Sequence, residues 1–514
     1  MAQSAAQPAA ATPPVAAAPA GLHPGRLVAR NMLALVFSQL LTTPISIVVN
    51  AVLARSLGAS DFGTIYLATT VLTVGFLLVD WGGQAQVAAE VARNRKDAAA
   101  IFGTGLLLRV CFGAVLLLLV PPFARLMGYD QTLRTALLLV GIRFAFASLS
   151  NLCSAMLRGF ERLQWHARAA VFAGALEAAL VIPTLLMGGR LQAALTAQAV
   201  TAGLALLVQL ALVRKLQIGL PRVRRSLASV LLGGGFGFLV LEIVLKLQPY
   251  IDAAFLSRLA PPEVLGWYGA ASRMVGVLIF PATTLSYALY PTLVRLWAED
   301  KATYASMVRL GVRTVVVLGT FTATATLLFS DLIVSVAYGT ERFAPAAGNL
   351  GILAGYLLLV YVSIVLSVGI AAAGRQLRWA LAQSICLLVS VALDPLLIPV
   401  FQARYGNGSL GVCVSVVLAE VIMVMAGARL LPAGTLPASL LRTVARCLCA
   451  AAAMATAGLL LRRLWPLALP VMAATYFGML WRLRELDAEL LAHARSILSR
   501  KVDERRTPGQ EPGS

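Results

Sequence analysis

The chain has 514 residues, of which 59% are hydrophobic and only 12% charged, with a formal net charge of +20. A soluble globule carries about 25% charged residues, so half the expected solvent-facing charge is missing and a water-soluble fold is excluded. The Lys and Arg excess falls between long apolar runs, which assigns it to loops at a membrane face and not to a nucleic-acid surface.

Residues 1–26 are Ala/Pro-rich and carry no basic stretch ahead of an apolar core, so they read as a disordered cytoplasmic tail and not as a signal peptide. Fourteen apolar segments follow, near 32–54, 62–82, 98–120, 132–156, 166–187, 191–213, 229–251, 265–292, 312–337, 349–373, 379–401, 409–431, 440–461 and 465–481. Runs of about 20 apolar residues are transmembrane helices, since barrel strands would alternate over about 10. The fold class expected is all-α integral membrane with about 14 transmembrane helices. The first two helices are joined by a short polar turn over Arg55–Gly63. Beyond residue 482 a charged amphipathic stretch is expected to lie on the membrane surface, followed by a Pro/Gly-rich tail. Counted over alternating loops, Lys and Arg are biased about threefold toward one side, which places both termini in the cytoplasm. The Arg462–Arg463 pair is the one local exception.

The opening hairpin recurs. Asn50–Leu57 (NAVLARSL) aligns with Asp252–Leu259 (DAAFLSRL), and Asp61–Gly63 then meets Glu263–Gly266. An offset of about 200 residues spans six helices, an even number, so the two copies enter the membrane in the same direction and a cavity is expected between them. The chain therefore divides into a first six-helix lobe over 27–219, a second over 220–434 and two C-terminal helices over 435–482, with 483–514 as the cytoplasmic segment and tail. A pseudo-two-fold axis along the membrane normal relates the lobes.

Ala54–Gly63 (ARSLGASDFG), after an Asn-containing helix and ahead of Asp80-Trp-Gly-Gly83, resembles the opening of bacterial polysaccharide transporters. These are the oligosaccharide flippases of the multidrug/oligosaccharidyl-lipid/polysaccharide exporter (MOP) superfamily. Tyr250–Leu259, Gly266–Met274 and Pro281–Pro291 resemble the start of that family's second lobe, and the likeness covers roughly 27–434. The resemblance implies that the protein flips an undecaprenyl-diphosphate-linked oligosaccharide across the bacterial inner membrane for surface polysaccharide synthesis. Polysaccharide polymerase and glycosyltransferases are the partners it implies, beside membrane lipids.

A charge at a helix centre costs about 2.5–3.5 kcal/mol, so each intramembrane ionisable residue calls for a reason. Arg109, Arg143, Arg273 and Lys246 are candidates to line the cavity and hold a diphosphate, Arg because its planar fork gives two hydrogen bonds to phosphate. Gln39, Asn50, Gln84, Asn151 and Gln248 are candidate sugar contacts. Glu177, Glu242, Asp394 and Glu420 are candidate coupling carboxylates for H+ or Na+. The competing reading is structural: ion pairs inside each lobe, with Glu242 four residues before Lys246, and Arg313 snorkelling to the boundary. Asp61 and Asp252 read as turn or cap residues.

The six cysteines lie inside apolar segments, the three histidines are scattered, and no phosphate-binding Gly-rich loop occurs. No catalytic, cofactor or metal residue is expected. A lipid II flippase or a multidrug antiporter of the same superfamily is the alternative transporter. A membrane glycosyltransferase or polymerase is the rival of a different class, and short outward loops leave it little room for an active site.

Overall fold

The computed structural model describes residues 24–437 and 439–485, and every regular element among them is a helix. Most of the expected N-terminal tail and all of the chain after Glu485 lie outside the described residues. In chain order the α-helices are α1 (Pro24–Asp80), α2 (Gly83–Arg93), α3 (Ala98–Leu126), α4 (Gln131–Gly159), α5 (Leu163–Leu186), α6 (Leu191–Arg214), α7 (Arg225–Lys246), α8 (Gln248–Leu259) and α9 (Pro262–Leu278). They continue as α10 (Phe280–Glu299), α11 (Lys301–Leu328), α12 (Ser330–Tyr338), α13 (Ala344–Ala372), α14 (Gln376–Tyr405), α15 (Ser409–Leu430), α16 (Ser439–Leu460) and α17 (Trp465–Arg482).

Ten of these helices are long and apolar enough to cross a membrane, or eleven when α9 and α10, bent by 41°, count as one span. The fourteen separate segments expected do not all stand out in this way, for two physical reasons. Segments one and two are continuous in α1, whose 57 residues are interrupted at Gly58, with φ 83° and ψ 177°. Segment seven is broken into α7 and α8. The polar turn expected over Arg55–Gly63 is thus a single glycine, in a backbone region that side-chain-bearing residues avoid.

Large apolar side chains such as Leu118, Leu126, Leu186, Met187, Leu388, Leu396 and Leu460 are exposed. In water such a belt would be untenable; hydrocarbon is the solvent that accepts it. Helices α1–α6 pack among themselves, α4 on α6 and α1 on α5, while α11 and α15 pack on α13 and α14 on α15. The last pair, α16 and α17, leans on α11. The two groups meet chiefly where the second half of α1 crosses α9. Gly63 and Gly266 allow this crossing: a Cβ on Gly63 would lie 2.9 Å from the Gly266 nitrogen, and one on Gly269 would lie 2.7 Å from the Tyr66 ring. Small residues at a crossing let membrane helices approach backbone to backbone.

Polar side chains tie each end of the bundle. At the Gly58 end, Arg55 donates to the backbone carbonyls of Val336 and Ala337, Trp267 Nε1 donates to the Arg342 carbonyl at 2.9 Å, and Arg462 pairs with Asp331. At the opposite end, Arg224 pairs with Asp97 at 3.1 Å, Arg95 with Glu161 at 3.7 Å, and Arg375 donates to the Leu430 carbonyl at 2.7 Å.

Candidate functional site

A polar cavity of about 340 Å³ lies between the two helix groups, lined by α1, α4, α5, α6, α9 and α12. Its polar lining includes Ser46, Asn50, Arg143, Glu177, Gln198 and Arg273. Towards the Gly58 end it is backed by an aromatic cluster: the Phe62 ring is 5.9 Å from that of Tyr338 and 5.7 Å from that of Phe343, centre to centre. All three rings are buried.

Two arginines reach the cavity from opposite sides. Arg143 of α4 donates to the Glu177 carboxylate of α5 at 3.2 Å and to Gln198 Oε1 of α6 at 3.2 Å, while Gln198 Nε2 donates to the same Glu177 oxygen at 3.1 Å. The triangle fixes Arg143 and neutralises it. Arg273 of α9 donates to Asn50 Oδ1 and lies over the Phe62 ring, 4.6 Å from its centre. Among the described residues it has no carboxylate partner. Two cations against one carboxylate leave the lining with a net positive charge.

The other sequence candidates lie elsewhere. Arg109 is not part of this lining: at 5% exposure it is buried between α3, α4 and the end of α1. Its Nε pairs with Asp80 at 3.4 Å and its Nη1 donates to the Ser148 carbonyl at 3.0 Å, while the Ser148 hydroxyl donates to Asp80. Its geometry is that of the structural ion pair. Glu242 on α7 stands near enough to act electrostatically on Asp80, and Lys246 lies at the end of α7 with its side chain outside the described residues. Glu420 of α15 sits beside Ser363 of α13 and pairs with no described cation. Arg313 does not simply snorkel; its Nε donates to Glu485 Oε1 at 2.7 Å.

A second cluster differs from its reading in sequence. Asp252 is not a turn residue: it lies inside α8 at 1% exposure, and its Oδ2 accepts a hydrogen bond from the Tyr268 hydroxyl at 3.0 Å. Asp394 of α14 is wholly buried beside Asp252 and Ser415, with neither carboxylate oxygen in a well-formed hydrogen bond. Sequence reasoning also passed over Gln198, although a glutamine well inside an Ala-rich apolar segment was a visible signal.

A multi-span helical membrane protein with a polar cavity held between two helix groups has the architecture of a transporter. Solved transporter structures share this fold. The lipid II flippase MurJ, in an inward closed conformation, superposes with a TM-score of 0.67 at 12% identity, over 88% of this chain and 99% of that one. An inward-facing multidrug resistance MATE family transporter gives 0.57 at 14% identity, over 78% of this chain and 97% of its own. The Vibrio cholerae MATE transporter VcmN, in its bent form, gives 0.51 at 14% identity, over 79% and 96%. The chain belongs to the polysaccharide biosynthesis protein family, whose profile matches residues 28–297. No curated protein sequence matches it.

Proposed function

We propose that the protein is a flippase that moves a lipid-diphosphate-linked oligosaccharide, carried on undecaprenol, across the bacterial inner membrane by alternating access of two helical lobes. It makes and breaks no covalent bond. The observation that carries this reading is the cavity charge: Arg143 and Arg273 face one carboxylate, Glu177, among neutral amides. Such a lining suits an anionic head group with sugar hydroxyls and repels the cationic drugs an antiporter would carry. A volume of about 340 Å³ is at the small end for ligand pockets, so an oligosaccharide enters only when the lobes part.

The threefold Lys and Arg bias assigns the Gly58 end to the periplasm and both termini to the cytoplasm. With the two groups closed at the Gly58 end, the conformation is one sealed from the periplasm. Coupling is assigned to Asp394, with Asp252 as its companion. Two apposed carboxyls in the membrane suit a shared proton or monovalent cation, and they meet where α8 packs on α14.

The test is a deletion strain. Undecaprenyl-linked repeat units accumulate on the inner face, and the wild-type gene restores surface polysaccharide where Arg143→Ala or Arg273→Ala, at equal protein level, does not. Normal surface polysaccharide with altered drug sensitivity in that strain would sink the reading. Stalled peptidoglycan precursors instead would point to lipid II as the cargo.

A further inference from the structure

A second basic cavity, of about 400 Å³, opens at the other end of the molecule, between the starts of α11 and α16. The two helices present it with matching faces. Ser306, Arg309, Leu310 and Arg313 on α11 follow the i, i+3, i+4, i+7 pattern, and Ser439, Arg442, Thr443 and Arg446 on α16 repeat it with serine and two arginines in the same places. Side chains at that spacing share one helix face, so four guanidinium groups point into one cleft.

Only one acid answers them. Glu485, just past α17, is 1% exposed; its Oε1 accepts from Arg313 and from the Thr443 hydroxyl, each at 2.7 Å, and its Oε2 accepts from Arg446 at 2.8 Å. It anchors the inner pair of arginines. The outer pair, Arg309 and Arg442, makes no ion pair or side-chain hydrogen bond with any described residue. Four cations against one carboxylate leave a net charge of +3 within a cleft whose floor is already pre-organised. Both helices begin at this end, so their amide-rich first turns add to the positive potential.

We propose that this cleft is a phosphate-binding site, distinct from the central cavity, in which Arg309 and Arg442 grip a phosphate group while the Arg313–Glu485–Arg446 bridge holds the walls apart. The group is either the head of an anionic lipid or a soluble phosphate ester or diphosphate. Arg is suited to both because its fork donates two hydrogen bonds to phosphate oxygens. The site does not depend on the identity of the transported cargo. An occupant bridges α11 to α16 and so fixes the last helix pair to the second helix group.

The experiment compares the full-length protein with Arg309→Gln/Arg442→Gln, which leaves the buried bridge intact. Native mass spectrometry from mixed micelles reads retention of phosphatidylglycerol against phosphatidylcholine, and thermal unfolding in lipid-free detergent reads protection by inorganic pyrophosphate. Preferential phosphatidylglycerol retention that falls about tenfold in the variant supports the site with a lipid occupant. Pyrophosphate protection that disappears in the variant supports it with a soluble one. Equal lipid retention and equal protection in the two proteins overturn it. The variant's unfolding midpoint without any anion is the folding control, and Arg404→Gln, a cation at the other end of the bundle, should change neither reading.

Discussion

Arg109 and Arg143 are both intramembrane arginines bonded to a carboxylate, yet they stand in different surroundings and should fail differently. Arg109 is sealed in by Asp80 and Ser148, so Arg109→Ala leaves a buried carboxylate without its cation. Such a loss costs about 3–5 kcal/mol and should show as low yield and a lower unfolding midpoint. Arg143 is part-exposed to a polar cavity, so Arg143→Ala should leave midpoint and yield near wild type and abolish transport. Glu485 gives a pH signature. Burial pushes its carboxyl up, but the Thr443 hydroxyl, Arg446 and Arg313 outweigh it and hold it below the usual glutamate range. A depressed folded value stabilises above the unfolded pKa, about 4.3, and that contribution is lost as pH falls through the folded value. Wild-type protein should therefore lose more thermal stability than Glu485→Gln on acidification below about pH 4; parallel curves would refute the assignment. Sequence could name Arg109, Arg143 and Glu177 as costly in a membrane, and it placed Glu485 outside. It could not name their partners, because whether Arg143 meets Glu177, 34 positions away, depends on how two helices are rotated against each other.

At the level of elements, hydropathy located the helices well and their interruptions poorly. A window average over about 20 residues is blind to a single glycine with positive φ, which is all that divides α1 at Gly58. The bend of 41° between α9 and α10 falls where Pro281 opens α10 and removes a backbone donor. The α1–α9 crossing is the element on which closure rests. A side chain at position 266 would collide with the backbone of Ala59, so Gly266→Leu should hold the Gly58 end open. Cysteines placed on the facing turns of α1 and α9 would then label readily with a membrane-impermeant maleimide in the variant and poorly in wild type. Equal labelling would remove the crossing from the gate.

Over the whole molecule, the hairpin repeat at Asn50 and Asp252 pointed to two helix groups with a cavity between them, and the cavity lies between α1 of one and α9 of the other. The separate reading of Asp252 as a turn or cap residue misplaced it, since it is buried inside α8 beside Asp394. Asp394→Asn should leave the fold and the binding of lipid-linked substrate intact and slow turnover at least tenfold, with the residual rate no longer responding to an imposed proton or sodium gradient. A rate that still follows either gradient would move coupling to Glu420 or Glu242.

The contact of Gly63 with Gly266 also bears on energy conservation in the membrane that hosts the protein. Two peptide backbones that touch leave no room for a file of water at that crossing. Any residue larger than glycine there would cost more than transport rate: it would make the carrier a leak, measurable as a decaying membrane potential in sealed proteoliposomes that contain no substrate at all.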